Sequence, residues 1–147
     1  MKKFGITGIG ILFFVYGLFR LGISSLLLLQ AFELINYTGL EAALSDVHRF
    51  LTAEQDKALF PLTSNQYLFY LWLMGALLIT GGIGCLLRKH VGVYSLYTFL
   101  GLYVALFVNF QTINPKIMHL IVCALLLAIY HWLRHGEEEV KLVSPNN

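Results

Sequence analysis

The residue with the most distinctive chemistry is an arginine inside a long apolar stretch. Arg20 lies about two thirds of the way along the run of residues 4–29, where a charged side chain in lipid costs on the order of 3 kcal/mol or more. Tyr16 precedes Arg20 by one helical turn and Ser24 follows it by one turn, so the three side chains share a face. That face should point toward a bundle interior, a partner or water.

Two interpretations of Arg20 stay open. The apolar stretches contain no acid, and Glu33 lies roughly 20 Å further along a helix that rises 1.5 Å per residue. Either Arg20 extends toward an interface or anchors a hydrogen-bonded network in the core, or it forms an anion site for a lipid headgroup or another acidic small molecule. The partner of Arg20 is then a carbonyl, a tyrosine, a polar loop or a ligand.

Asn109 and His119 complete the predicted ligand-binding residues. Each lies on a stripe of small or polar residues in the third or the fourth apolar stretch. Together with Tyr16, Arg20 and Ser24, they could line a shallow pocket beneath the polar segment that follows the first stretch. Small and polar residues also tie membrane helices together, and this structural role is the alternative.

The sequence offers too few suitable residues for metal binding or for catalysis. His119 and Cys123 are four residues apart on one helix face, but a metal would need two further ligands, and none is evident. No acid lies in the apolar stretches to act as a base, and no serine has a suitable histidine and acid nearby. We therefore predict no metal site and no catalytic residue, and the sequence favours a non-enzymatic role.

The elements that position these residues are membrane-spanning helices. The 147 residues are 58% hydrophobic and 12% charged, whereas a soluble domain has about 25% charged residues. Four stretches, at about residues 4–29, 67–87, 91–110 and 116–133, are close to or above the length of about 20 residues that spans a bilayer. Backbone groups in lipid must be bonded internally. The sequence therefore predicts an all-α fold, a single-domain four-helix membrane bundle.

The segment of residues 36–66 is the longest polar part between the stretches. Thr38 and Glu41 match a capping box, and apolar residues follow at helical spacing. Thr52 and Gln55 match a second box. We predict one or two amphipathic helices here, resting on the bundle or in the membrane interface.

Several helix boundaries have recognisable signals. Thr63 or Ser64 can cap the second stretch, and Asn114-Pro115 can begin the fourth. The residues 88–90 are the whole connection between the second and third stretches, so these two should form a tight antiparallel hairpin.

The distribution of basic residues predicts the orientation. By the positive-inside rule, both termini are cytoplasmic, residues 36–66 are extracytoplasmic and residues 134–147 form a cytoplasmic tail. We expect an integral protein of the bacterial inner membrane. The cytoplasmic side has Lys2, Lys3, Arg88, Lys89, Arg134 and Lys141, and the other side has Arg49, Lys57 and Lys116.

Small residues of the second stretch suggest how the protein makes contacts. Ala76, Thr80 and Gly84, with Gly81-Gly82 beside them, form a face suited to close helix packing. Expected partners are membrane lipids and another membrane protein, or a second copy bound through such small-residue faces. The formal charge of +2 and the lack of a basic run exclude nucleic acid.

Residues 14–21 resemble the first-helix signature of the DoxX-like family, an apolar run followed by a glycine, two residues and a lysine or arginine. The family also has a longer segment after the first helix and a Gly-Gly pair ahead of a basic turn, which Gly81-Gly82 and Arg88-Lys89 match. It commonly has a glutamate one turn before that pair, where this chain has residues 77–79, all aliphatic. The resemblance implies a four-helix membrane fold linked to membrane oxidoreductase complexes and quinone-related processes.

Three functions follow as hypotheses. The first is an accessory or assembly subunit that binds a partner membrane protein and has no catalysis of its own. The second is a lipid- or quinone-binding subunit of a membrane oxidoreductase system, with Arg20 in an outward-facing pocket; a bound lipid or quinone is then the expected cofactor. The third is a small channel or transporter, for which the third and fourth stretches offer few polar residues in their inner halves.

Overall fold

The protein folds into helices joined by short connections. This computed structural model describes the backbone of residues 2–111 and 117–143, and the side chains of residues 4–111 and 117–134. Within these ranges there are no strands. The helices are α1 Lys2–Ala31, α2 Thr38–Glu54, α3 Ser64–Leu86, α4 His90–Phe110 and α5 Ile117–Val143.

Four of the helices are long and apolar enough to cross a membrane. They are α1 over Phe4–Ala31, α3, α4, and α5 over Ile117–Arg134. This confirms the predicted all-α class and the four candidate spans. The predicted Asn114-Pro115 cap and the predicted start of the fourth span at residue 116 lie outside the described residues. α5 continues as a helix beyond the predicted end at residue 133, so the predicted tail begins as helix.

The amphipathic segment contains a single helix, α2. Its N-cap is Tyr37 and no side chain caps it, so the predicted capping box of Thr38 with Glu41 does not form. Thr38 is already the first helical residue, one position too late for its hydroxyl to act as the cap. The second predicted box fails as well, because Thr52 lies inside α2 and its hydroxyl donates to the carbonyl of His48 at 2.9 Å.

The start of α3 follows the prediction. Thr63 is the N-cap and forms a capping box with Gln66, which satisfies two backbone N–H groups that the first turn of a helix leaves unpaired. At its other end, α3 turns into α4 through Arg88, whose φ is 56°. Lys89 there donates its N–H to the carbonyl of Gly84 at 2.8 Å. The hairpin between α3 and α4 is therefore tight, as predicted.

Glycines bring the backbones of α1, α3 and α4 together. A Cβ at Gly75 would lie 2.8 Å from the backbone nitrogen of Leu21, and a Cβ at Gly82 would lie 2.6 Å from that of Phe14. A Cβ at Gly92 would lie 2.5 Å from the carbonyl carbon of Gly84 on α3. Only glycine fits such approaches, which are typical of small-residue contacts between membrane helices.

The predicted small-residue face of α3 is therefore partly used. Gly81, Gly82 and Gly84 are buried in helix contacts. Thr80 is instead exposed, and its hydroxyl donates to the carbonyl of Ala76 at 2.9 Å on its own helix.

Candidate functional site

A cavity of about 510 Å³ lies within the bundle at the end covered by α2. All five helices contribute to its walls, and most of the lining side chains are aromatic or aliphatic. Its size falls within the range of about 300–1,000 Å³ that is usual for small-molecule sites. The lining residues are Tyr16, Phe19, Arg20, Ile23, Ser24, Leu27, Phe50, Tyr67, Leu71, Tyr103, Leu106, Phe107, Phe110 and His119.

Arg20 is the charged residue of this lining. One terminal nitrogen, Nη1, donates to the hydroxyl of Tyr16 at 3.3 Å, and the other, Nη2, approaches the sulfur of Met74 at 3.6 Å. The guanidinium carbon lies 5.2 Å from the ring centroid of Tyr103 and 5.9 Å from that of Phe99. Such distances permit cation–π attraction. The Arg20 side chain is thus held by the hydroxyl of Tyr16, the sulfur of Met74 and two aromatic rings.

These contacts leave part of the guanidinium unsatisfied. Its Nε is buried and has no hydrogen-bond partner among the described residues, although a guanidinium has five N–H donors. Arg20 also makes no ion pair with a described residue; the pairs Arg49–Asp46 and Lys57–Glu54 lie on α2 and just after it. A buried donor without an acceptor is unfavourable, and more so when it is charged. An anion in the cavity would compensate the charge of the guanidinium.

Four of the five predicted ligand-binding residues line the cavity. Tyr16, Arg20 and Ser24 do so from the shared face of α1, and His119 does so from the first turn of α5. Ser24 is only 3% exposed, whereas His119 is exposed. The structure therefore brings together polar groups from two helices that are distant in sequence.

Asn109 is placed elsewhere and has a different partner. Its side-chain oxygen accepts the N–H of Phe60 at 2.8 Å, and its side-chain nitrogen donates to the Phe60 carbonyl at 3.1 Å. Its own carbonyl accepts the N–H of Leu59 at 2.9 Å. Asn109 thus holds the connection between α2 and α3 against the end of α4.

The aromatic walls of the cavity were missed in the sequence. Tyr67 and Tyr103 are both buried there, and Phe50 packs edge-on against Phe110 with a centroid distance of 5.4 Å. A signal was present on α4, where Phe99, Tyr103, Phe107 and Phe110 recur at helical spacing.

The described residues contain no group of three or more His, Cys, Asp or Glu side chains that could hold a metal ion. No protein-family model, curated protein or solved structure matches the chain. The site offers a cationic donor, a tyrosine hydroxyl and apolar walls, which suit binding of a molecule that is polar at one end.

Proposed function

We propose that this chain is an integral membrane protein that binds an amphipathic molecule whose head carries an oxyanion, with Arg20 as the residue that recognises the head. The observation that carries the proposal is that Arg20 lines an open cavity, forms no ion pair with a described residue, and has a buried Nε without a hydrogen-bond partner. An arginine presents its donors in a planar fork that matches carboxylate and phosphate oxygens.

Charge balance favours an anionic head over a neutral one. Arginine stays protonated under all ordinary conditions, and no described carboxylate forms an ion pair with Arg20. A neutral carbonyl, such as that of a quinone, would satisfy one N–H but would leave the charge uncompensated in an apolar setting. We therefore place an anionic lipid ahead of the quinone that the DoxX-like resemblance suggests.

The walls of the cavity suit the part of the ligand next to the head. Aromatic and aliphatic side chains surround Arg20, and the other polar groups of the lining are those of Ser24, His119 and three tyrosines. Known ligand pockets combine such apolar linings with a small number of well-placed polar groups. From the distribution of basic residues, we place α2 and the cavity on the extracytoplasmic side of a bacterial inner membrane.

The accessory-subunit hypothesis receives less support. It relied on residues 36–66 and on small-residue helix faces to bind a partner, and of those small residues Gly81, Gly82 and Gly84 are occupied by contacts within the bundle. A channel or transporter would need a polar path through the bilayer, whereas the cavity walls are mainly apolar.

The proposal is tested by identifying what the protein retains on purification. Wild type, Arg20→Gln and Arg49→Gln would be purified in mild detergent, and bound lipids would be measured by mass spectrometry. Arg49 is the matched control, because it lies in an exposed ion pair with Asp46 at 3.6 Å on α2. We expect wild type and Arg49→Gln to retain the same acidic lipid and Arg20→Gln to lose it.

Two outcomes would count against this function. One is an acidic lipid that all three proteins retain equally. The other is a wild-type protein that carries no acidic molecule even when purified without lipid removal. Size-exclusion profiles and helical content would show that Arg20→Gln is folded, so that loss of the lipid is not a consequence of unfolding.

A further inference from the structure

A second cavity, of about 450 Å³, lies between α1 and α5 and shares two residues with the first. Tyr16 and His119 line both cavities. Except for these two residues, the lining of the second cavity is apolar or sulfur-containing. Its other residues are Leu12, Phe13, Met118, Val122, Cys123 and Leu126, and we call it the α1–α5 groove.

We propose that the α1–α5 groove holds the apolar tail of the ligand, and that the tail leaves the head cavity between the rings of Tyr16 and His119. This inference rests on the proposed function, because the occupant is the remainder of the molecule whose head lies at Arg20. The occupant is a single-chain amphiphile with a carboxylate or phosphate head.

Tyr16 and His119 form the boundary between the two cavities. The rings of Tyr16 and His119 are nearly parallel, with an interplanar angle of 7° and a centroid distance of 6.4 Å. They stand where the two cavities meet, so they act as a partition between the cavities. His119 is exposed, and exposed side chains change rotamer within picoseconds to nanoseconds. This partition can therefore open without moving a helix.

The groove has a direction that suits a lipid tail. It follows α5 from His119 to Leu126, roughly 10 Å at 1.5 Å per residue, and Leu126 lies near the middle of the span Ile117–Arg134. At the far end of the span, α1 and α5 meet closely, since a Cβ at Gly5 would lie 2.9 Å from Cδ1 of Leu133. The groove thus runs from the head cavity toward the bilayer centre and closes beyond it.

The groove also faces the membrane. Leu12, Met118 and Val122 are all exposed, and they lie on helices that are long and apolar enough to span a bilayer. A lipid tail anchored at Arg20 would therefore occupy the depth that it has in the surrounding leaflet. Close van der Waals packing of the chain in the groove supplies affinity that the head alone lacks.

The test uses photoreactive single-chain probes. Two fatty acids would carry a diazirine, one near the carboxylate and one near the chain end, and two lysophosphatidic acids would carry it at the same positions. Purified full-length protein would be irradiated with each probe, and the cross-linked peptides would be identified. The two head types distinguish a carboxylate ligand from a phosphate ligand.

We expect chain-end probes to label residues 118–126 of α5 and the facing part of α1 near Leu12. Probes labelled near the head should react with residues around Arg20, such as Phe19 and Phe107. Arg20→Gln should abolish labelling by both. If head-proximal labelling depends on Arg20 but chain ends label residues outside the groove, the tail path is wrong and the head site stands. If neither label depends on Arg20, the proposed function fails.

A pair of variants tests the groove by steric block. Val122→Trp fills the groove, whereas Leu125→Trp adds the same side chain to the same helix outside it; the two native residues are 50% and 58% exposed. We expect Val122→Trp to weaken binding of the long-chain probes about tenfold, since a decade of affinity corresponds to the loss of only about ten carbon–carbon packing contacts in the groove. Leu125→Trp should bind as wild type. Equal affinities in the two variants would overturn the proposed tail path.

Discussion

The two ends of the bundle are built on opposite principles. At the end near Arg88, glycines let the helix backbones touch, and Gly84 and Gly92 leave no room for a Cβ. At the end covered by α2, aromatic side chains such as Phe50 and Tyr103 line an open cavity. Backbone contact at the glycine end holds the helices together. The helices therefore need not pack closely at the α2 end, and an open volume can remain there.

The two ends of the bundle therefore have different roles. The glycine end supplies stability and fixes the register of α1, α3 and α4. The α2 end contains the charge of Arg20, which has no ion-pair partner among the described residues and should lower the stability of the empty protein. Under the proposed function, this loss of stability accompanies ligand binding. Substitutions at the two ends should therefore have effects of opposite sign.

The largest effect is expected at the glycine end. Gly84→Ala places a methyl group against the backbone of Gly92, and backbone cannot move aside as a flexible side chain can. We expect a loss of about 3 kcal/mol, at the upper end of the range for overpacking, visible as a much lower thermal unfolding temperature in detergent. The control is Gly101→Ala, which meets nothing within 4 Å and should be neutral or slightly stabilising. Equal effects at both positions would refute the assignment of the glycine end.

A smaller effect of opposite sign is expected at the α2 end. Arg20→Met removes the charge while keeping a long flexible side chain, so the delipidated protein should gain about 1–3 kcal/mol. The measurement is thermal unfolding after exhaustive lipid removal, compared with Arg49→Met on the surface of α2. A clear loss of stability would show that Arg20 instead anchors a structural network, the interpretation that the sequence left open.

The smallest effect is expected at Asn109, which links α4 to the connection between α2 and α3. Asn109→Ala removes both side-chain hydrogen bonds to Phe60, and it should cost about 1 kcal/mol because Phe60 is exposed and water can replace them. Cleavage by a protease within residues 55–63 should also become faster. Thr98→Ala removes a hydrogen bond of 3.0 Å to its own helix and should change neither the stability nor the rate of cleavage. Faster cleavage of Thr98→Ala as well would show that Asn109 has no special role.

The spans and the polar face of α1 could be predicted because they depend on local pattern. The helical period alone places Tyr16, Arg20 and Ser24 together. The cavity walls could not be predicted in the same way. In lipid an apolar side chain is equally well solvated on either side of a helix, so hydropathy does not tell whether Tyr67 or Tyr103 faces the interior.

Asn109 shows a second limit. Its partner is the backbone of Phe60, which lies 49 residues away in sequence, and no local pattern reveals such a pairing.

The predicted cap of α2 failed for a different reason. The helix begins one residue earlier than the box requires, and the N–H of Tyr37 is taken by the side-chain oxygen of Gln30 at 3.0 Å.

That hydrogen bond ties the start of α2 to α1, and the pairing of Asn109 with Phe60 ties the connection after α2 to α4. A helix held on both sides in this way does not swing like a hinged lid, whereas Phe19 and Ile23 line the cavity from the span of α1 and are exposed toward lipid. Under the proposed function, the protein then samples what is dissolved in the bilayer rather than what is dissolved in water. Its occupancy should follow the mole fraction of the ligand among the membrane lipids, and diluting the ligand with inert lipid should empty the site at constant total ligand.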